Sequence, residues 1–176
     1  MPGQRSPVAI RLATLDDAPA IRAIYNYEVE NHTSTFDLVT RSLEAQRTWL
    51  AERSGAFAAV VATLAEPTTA GEAGDVVGFA SLSPYKERAA YRTTVENSVY
   101  VSRDHSGMGI GRALMEHLIS AARDNGFHSM IARIEATSEA SLALHDACGF
   151  RMIGVEHEVG RKFGRWLSTA SMQLML

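Results

Sequence analysis

The sequence predicts a mixed α/β fold, in which a mixed sheet carries helices on both faces. Two observations support this prediction. Apolar β-prone runs and helix-compatible runs follow one another in the order β-α-α-β-β-β-α-β-α-β-β, without an internal repeat or low-complexity tract. The chain has 176 residues, of which 46% are hydrophobic, so a single domain over residues 1–176 can bury a substantial core.

The first half of the chain contributes two helices and four strands to this order. Thr14 starts the first helix, because Asp17 stands at the capping-box spacing behind it. The second helix, Leu43 to Arg53, has apolar residues at near-helical spacing and ends before Gly55. The predicted strands are apolar runs bounded by turn residues: Val8 to Leu12, Phe57 to Leu64, Asp75 to Leu82 and Thr94 to Val101.

The second half begins with a helix from about Gly109 to Asn125, which the Asn125-Gly126 pair ends. A strand over Ser129 to Glu135 and a short helix over Ser138 to Ala147 follow. Gly149 and Phe150 then open a final hairpin, with strands at about 150–157 and 166–175.

Charge and composition exclude several classes of protein. The 17 basic and 20 acidic residues give a net charge of −3, which argues against a nucleic-acid partner. The single cysteine, Cys148, excludes an internal disulfide, and its apolar neighbours favour a packing role. No apolar run approaches the roughly 20 residues that span a bilayer, and the N-terminus lacks a signal peptide's hydrophobic segment. We therefore expect a soluble, cytoplasmic protein without a membrane partner.

The segment from Val99 to Arg112 carries the strongest functional signal. An apolar run ends at Val101, a glycine-rich turn follows, and a helix begins directly behind it. Glycines at alternate positions allow backbone N–H groups to turn inward, and the positive end of the helix dipole points to the same place. The sequence therefore predicts a binding site for a phosphate-bearing ligand.

Two common phosphate motifs do not fit this segment. A Walker A loop requires Gly-Lys-Ser/Thr at its end, but Arg112 and Ala113 follow Gly111. A dinucleotide fingerprint requires Gly-x-Gly-x-x-Gly, and Arg112 stands where the third glycine would be. These two classes of nucleotide site are excluded.

The motif Ser106-Gly107-Met108-Gly109-Ile110-Gly111 resembles the coenzyme A signature of the GNAT superfamily of N-acetyltransferases, Arg/Gln-x-x-Gly-x-Gly/Ala, with Ser106 in the first place. The resemblance extends from Ile10 to the C-terminus and implies a mostly antiparallel sheet of about seven strands, splayed between strands 4 and 5. It is strongest to the branch that acetylates phosphinothricin and methionine sulfoximine or sulfone, and it also implies a homodimer. The segments that match this branch are Ile24 to Asn26, Thr33 to Phe36, Ala90 to Arg92, Thr94 to Val101 and Lys162 to Leu167.

The resemblance implies acetyl-CoA as the cosubstrate and no metal. The backbone of Val99 to Val101 would bind the pantetheine arm as an extra strand, and the N–H of Tyr100 or Val101 would donate to the thioester oxygen. The full set of cofactor-binding residues implied in this way is Val99, Tyr100, Val101, Gly107, Met108, Gly109, Ile110, Gly111, Arg112, Ser138 and Ser141.

Two residues are candidates for the acid–base chemistry of acetyl transfer. Glu96 precedes the pantetheine segment and can take the proton of an ammonium group, although a solvent-facing strand carboxylate is the alternative. His145 stands where many GNAT members have a tyrosine that protonates the leaving thiolate. A helix histidine that only packs or hydrogen-bonds is the alternative there.

The resemblance places the amine substrate near a charged loop and the start of the fourth strand. Arginine can bind two carboxylate oxygens at once, so the loop suits an amino-acid substrate, although solvated loop charges are the alternative. Phe36 is either a pocket wall or a core aromatic. The substrate-binding candidates are Phe36, Lys86, Glu87, Arg88, Tyr91, Arg92, Glu96, Asn97 and Ser98.

We therefore expect an N-acetyltransferase that uses acetyl-CoA to acetylate the α-amine of a small amino-acid analogue, by direct transfer in a ternary complex. Methionine sulfoximine, methionine sulfone and phosphinothricin are the expected substrates. Two alternatives remain open: a GNAT enzyme for another amine, such as a polyamine or a protein N-terminus, and a non-catalytic acyl-CoA-binding module.

Overall fold

The computed structural model of the protein describes residues 7–176, and the described chain forms one sheet with helices packed on it. Its strands are β1 (Val8–Leu12), β2 (Val60–Leu64), β3 (Val76–Pro84), β4 (Thr94–Val101), β5 (Ser129–Glu135), β6 (Arg151–Lys162) and β7 (Arg165–Met175). Its helices are α1 (Ala18–Asn31), α2 (Leu43–Ala51), α3 (Ile110–Asp124) and α4 (Glu139–Ala147). The predicted order of elements is confirmed. No helix in residues 7–176 is long and apolar enough to cross a membrane.

The strands lie in the order β1-β2-β3-β4-β5-β7-β6, and every neighbouring pair is antiparallel except β4 and β5. These two parallel strands pair only from Thr94 to Glu96, opposite Ser129 to Ile131. Beyond Glu96, β4 continues to pair with β3 but leaves β5. This confirms the predicted splay between the fourth and fifth strands, which leaves one edge of β4 without a strand partner in the described chain.

The two faces of the sheet are covered by different helices. On one face, Ile21 and Tyr25 of α1 and Leu50 of α2 pack on Phe79 of β3. On the other face, the buried stripe of α3, which includes Leu114, packs on β1 to β5. Successive residues of a strand face opposite sides, so β4 presents its alternate side chains to two separate helical layers.

The final hairpin is longer than its predicted strands at 150–157 and 166–175. Phe163 and Gly164 both have positive φ, 50° and 73°, and form a two-residue turn that matches the twist of a hairpin. The pairing therefore extends to Lys162 opposite Arg165. A register shift between Glu156 and Gly160 breaks the alternation of side chains along β6. The first strand of the hairpin was therefore predicted to end at about residue 157, too early.

Two other predicted boundaries also move. The second strand begins at Val60 rather than Phe57, because Gly55–Phe57 form a short 3₁₀ turn. At the first helix, the carboxylate of Asp17 accepts the backbone N–H of Thr14 at 2.7 Å, as the capping pattern predicts. A 3₁₀ turn over Leu15–Asp17 comes first, and α1 continues from Ala18.

Candidate active site

A cleft of about 430 Å³ opens where β4 separates from β5. Its walls come from the unpaired end of β4, the end of β5, the start of α4 and the chain between α1 and α2. The splay therefore creates the cleft, and the exposed edge of β4 runs along it. The sequence-predicted residues that line it are Phe36, Glu96, Asn97, Ser98, Val99, Tyr100, Val101, Gly111, Ser138, Ser141 and His145.

The glycine turn lies at one end of the cleft, where α3 begins. Gly107 and Gly109 have φ of 78° and 76°, a conformation that costs other residues about 1–2 kcal/mol. A Cβ on Gly111 would lie 3.2 Å from the side chain of Leu144, so a glycine there allows α3 to approach α4 closely. The turn therefore brings the first N–H groups of α3 to the cleft, as an anion site requires.

Ser106 also lines the cleft, whereas Met108, Ile110 and the following Arg112 lie outside its described lining. Ile110 is buried in the core, and Met108 packs against it from the side. Arg112 is exposed and forms an ion pair with Glu116 at 2.7 Å. Any contact of Gly107, Met108, Gly109 and Ile110 with a phosphate therefore runs through backbone N–H groups.

Glu96 is half-buried on the side of β4 that faces α1. Burial raises the pKa of its carboxyl group, and the charge of Arg133 opposes this shift only in part. A raised pKa makes the ionised carboxylate a stronger base. The geometry and electrostatics of Glu96 therefore suit proton abstraction from an ammonium group.

His145 and Asn97 meet on the opposite side of β4, and both are buried. Nδ1 of His145 lies 2.8 Å from the backbone oxygen of Ser141, and Nε2 lies 3.0 Å from Nδ2 of Asn97. Burial lowers the pKa of His145, and the hydrogen bond with Ser141 raises it by less. A neutral imidazole is poorly suited to the predicted role of acid toward a thiolate.

A charge cluster around the buried carboxylate of Glu28, which sequence reasoning missed, holds the chain between α1 and α2 over the cleft. Both guanidinium contacts of Arg103 with Glu28 are short, at 2.7 and 2.6 Å, and Ser34 also donates to this carboxylate. Burial opposes ionisation of Glu28, but these hydrogen bonds outweigh it and hold the pKa of Glu28 below its usual value. Lys162 donates to the backbone oxygen of Thr35 at 2.9 Å.

The loop predicted to bind the substrate carboxylate is not brought to the cleft. Lys86, Glu87, Arg88, Tyr91 and Arg92 are exposed and lie outside its described lining, before the start of β4. The ammonium of Lys86 instead lies 4.7 and 5.2 Å from the ring centres of Tyr85 and Tyr91. The role of this loop in substrate binding stays a prediction.

Residues 10–170 match the acetyltransferase (GNAT) domain family. A methionine sulfoximine/methionine sulfone acetyltransferase of Pseudomonas paraeruginosa is 40% identical, with 96% of this chain and 94% of the relative covered. A phosphinothricin N-acetyltransferase of Alcaligenes faecalis is 37% identical, with 96% and 83% covered.

Solved structures agree with this grouping. A Salmonella typhimurium acetyltransferase, solved with its cofactor acetyl-CoA, superimposes with a TM-score of 0.88 at 36% identity, over 97% of this chain and 94% of that one. A ribosomal-protein-alanine N-acetyltransferase of Brucella melitensis superimposes with a TM-score of 0.86 at 41% identity. The match covers 96% of this chain and 99% of that one. The splayed strands, the glycine turn and these matches together show that the chain belongs to the GNAT family and is an N-acetyltransferase that uses acetyl-CoA.

Proposed function

We propose that the protein transfers the acetyl group of acetyl-CoA directly to the α-amine of a small amino-acid analogue, such as methionine sulfoximine, methionine sulfone or phosphinothricin. The observation that carries the proposal is the arrangement of β4. Its free edge adjoins the glycine turn, and Glu96 faces the side lined by Ser34, Thr35 and Phe36. Acyl donor and amine can therefore reach the same stretch of backbone together. The names of the two relatives support the class of substrate.

In this mechanism Glu96 takes one proton from the substrate ammonium, and the free amine attacks the thioester carbon. The backbone N–H of Val101 stabilises the negative oxygen of the tetrahedral intermediate, because the strand register directs the N–H of Tyr100 toward β3 instead. The C–S bond then breaks as the amide forms, and the second nitrogen proton ends on the sulfur. Atoms and charge balance without a covalent acyl-enzyme.

Direct transfer is also favoured by the state of the one cysteine. Cys148 lies outside the described lining of the cleft, and burial raises the pKa of its thiol. A thiol with a raised pKa carries little of the thiolate that a nucleophile requires. Candidate binding residues for both substrates line the same cleft, as a ternary complex requires.

The substrate class is tested by measuring free-thiol release from acetyl-CoA with a panel of amines. The panel contains the three amino-acid analogues, a polyamine and a peptide that begins with alanine, which represents the activity named for the Brucella structure. We expect kcat/KM for one or more of the analogues to be at least about tenfold higher than for the polyamine or the peptide. Turnover restricted to the peptide or the polyamine would assign another substrate. Binding of acetyl-CoA without turnover of any amine would indicate a binding module.

We also propose that the protein is a homodimer, assembled through the hairpin of β6 and β7. This hairpin lies at the sheet edge and exposes several large apolar side chains. They are Met152, Ile153, Val155, Val159, Phe163 and Trp166. A second copy would cover them and the unpaired edge of β6.

A further inference from the structure

Asn97 carries a polar atom that the described chain leaves without a partner. Five buried side-chain atoms in residues 7–176 have no hydrogen-bond partner, and Oδ1 of Asn97 is the one whose residue lines the cleft. The side chain is more than nine-tenths buried, at 8% exposure. Because burial of an unsatisfied acceptor is unfavourable, we expect a ligand to supply the missing donor.

His145 determines which way the amide of Asn97 points. The backbone oxygen of Ser141 can only accept, so the proton of a neutral imidazole lies on Nδ1. Nε2 then has a lone pair and must receive a hydrogen bond from Nδ2 of Asn97. The acceptor Oδ1 is thereby turned away from His145 and has no hydrogen-bond partner in residues 7–176. These two contacts fix the orientation of the Asn97 amide before any ligand binds.

The side of β4 on which Asn97 lies identifies the ligand. Asn97 shares this side with Val95 and Val99, which pack in the core with α3, and with His145 on α4. Glu96 faces the other side, together with Tyr100, so the amine would bind away from Asn97. The glycine turn lies at the start of α3, on the side of Asn97. The acyl donor, whose pantetheine arm carries amide N–H groups, is thus the complementary ligand.

Building on the proposed function, we propose that Oδ1 of Asn97 accepts a hydrogen bond from the pantetheine amide nearest the sulfur of acetyl-CoA, and that His145 is the positioning residue that orients Asn97. The amide nearest the sulfur is chosen because Asn97 adjoins Glu96, which acts at the acyl end. His145 therefore serves the thioester through Asn97 rather than by giving it a proton.

The first test measures binding of coenzyme A by calorimetry in the absence of any amine. Asn97→Ala removes the acceptor and should weaken binding about three- to tenfold, the range expected for one hydrogen bond. Ser81→Ala, which removes another buried polar atom without a partner in residues 7–176 but lies on β3 outside the cleft lining, is the matched control and should bind coenzyme A as the wild type does. Thermal melting of each variant verifies folding. Equal binding by Asn97→Ala and the wild type would overturn the proposal.

The second test changes the ligand instead of the protein. In a coenzyme A analogue, an ester oxygen replaces the N–H of the amide nearest the sulfur. The wild type should bind this analogue about three- to tenfold more weakly than coenzyme A, whereas Asn97→Ala should bind both alike. Retention of the full preference in Asn97→Ala would show that Oδ1 has another partner. If Asn97→Ala raised the KM for the amine and left the KM for acetyl-CoA unchanged, the proposal that Asn97 binds the acyl donor would be overturned.

The positioning role of His145 has its own readout. ¹⁵N NMR of the imidazole should show a neutral ring protonated at Nδ1, and protonation at Nε2 would contradict the proposed orientation. His145→Ala should weaken coenzyme A binding, and the double variant with Asn97→Ala should bind no more weakly than Asn97→Ala alone. Additive losses would mean that His145 acts independently of Asn97. Because the coenzyme A binding and NMR measurements need no amine, they remain decisive if the proposed substrate class fails.

Discussion

At the scale of single residues, Glu96 shows how burial adapts an ordinary side chain to a chemical task. A carboxylate in water has a pKa of about 4.3 and is a weak base. In the cleft, burial raises the pKa of Glu96, and the partial compensation by Arg133 keeps the group ionisable. A residue that only faced solvent would show no such shift, which favours the catalytic interpretation of Glu96.

Replacement of Glu96 by Gln should remove the acidic limb of the pH–rate profile. In the wild type, kcat/KM should fall as the pH decreases through the raised pKa of Glu96, because the base becomes protonated. Glu96→Gln should lower kcat by about 10²-fold or more, as is usual for loss of a general base. The measurement is thiol release from acetyl-CoA between pH 5 and 9. Glu135→Gln, which alters another cleft carboxylate, should retain the acidic limb; a retained limb in Glu96→Gln would exclude Glu96 as the base.

Local patterns predicted some residues of the site, whereas contacts between distant residues were not predictable. The spacing of the glycine turn indicated a phosphate site, and the family resemblance of the same short segment favoured Glu96 as the base. Glu28 and Arg103 are 75 positions apart, and neither stands in a motif. The ion pair between them depends on how α1 packs beside the end of β4, which no periodicity in the sequence specifies.

At the scale of elements, the chain between α1 and α2 depends on a glycine in a distant strand. The ring of Phe36 lies where a Cβ of Gly160 would be, with ring carbons at 2.5 and 2.6 Å from that position. β6 therefore holds Phe36 against its backbone while Phe36 lines the cleft. The sequence suggested either a pocket wall or a core aromatic, and the ring is a cleft residue packed on β6.

Gly160→Ala should displace the ring of Phe36 and change binding of the amine. Because the contact involves the outer part of a side chain, we expect a modest loss of stability, about 1 kcal/mol, and a several-fold rise in the KM for the amine. Gly154→Ala is the matched control, because Gly154 lies on the same strand and has open space at its Cβ position. Steady-state kinetics and thermal melting test this; equal effects of the two substitutions would refute the role of Phe36.

The final hairpin and the loop from Lys86 to Arg92 show the limits of pattern reasoning for whole elements. Alternation predicted that the hairpin exists, but a register shift hid its full length. The loop was assigned to the substrate because the family resemblance places it there and because arginine can bind a carboxylate. Charge and composition describe what a loop can bind, but its position depends on the path between β3 and β4, which the sequence does not encode locally.

At the scale of the molecule, the two edges of the sheet differ in character. β1 is a five-residue strand at one edge, and β6 is a twelve-residue strand at the other. Long, exposed apolar edges favour association with another chain. The asymmetry therefore predicts that any assembly forms through β6 and β7.

Trp166→Glu should convert the proposed dimer into a monomer. The side chain is 60% exposed in one chain, and a charge there would be buried without a partner in the interface. Light scattering should give twice the chain mass for the wild type and a single chain mass for the variant. Leu12→Glu, at a similarly exposed position (64%) on β1, should leave the mass unchanged. A wild-type mass equal to one chain would refute the dimer.

The two-sided arrangement of β4 also has a consequence for the order in which the substrates bind. The cleft is lined on one side of the strand by Ser34, Thr35 and Phe36, and on the other by Gly111, Ser141 and His145. An amine and an acyl donor that approach from these opposite sides do not obstruct each other's entry. For the proposed placement of the two substrates, we therefore predict that either substrate can bind first.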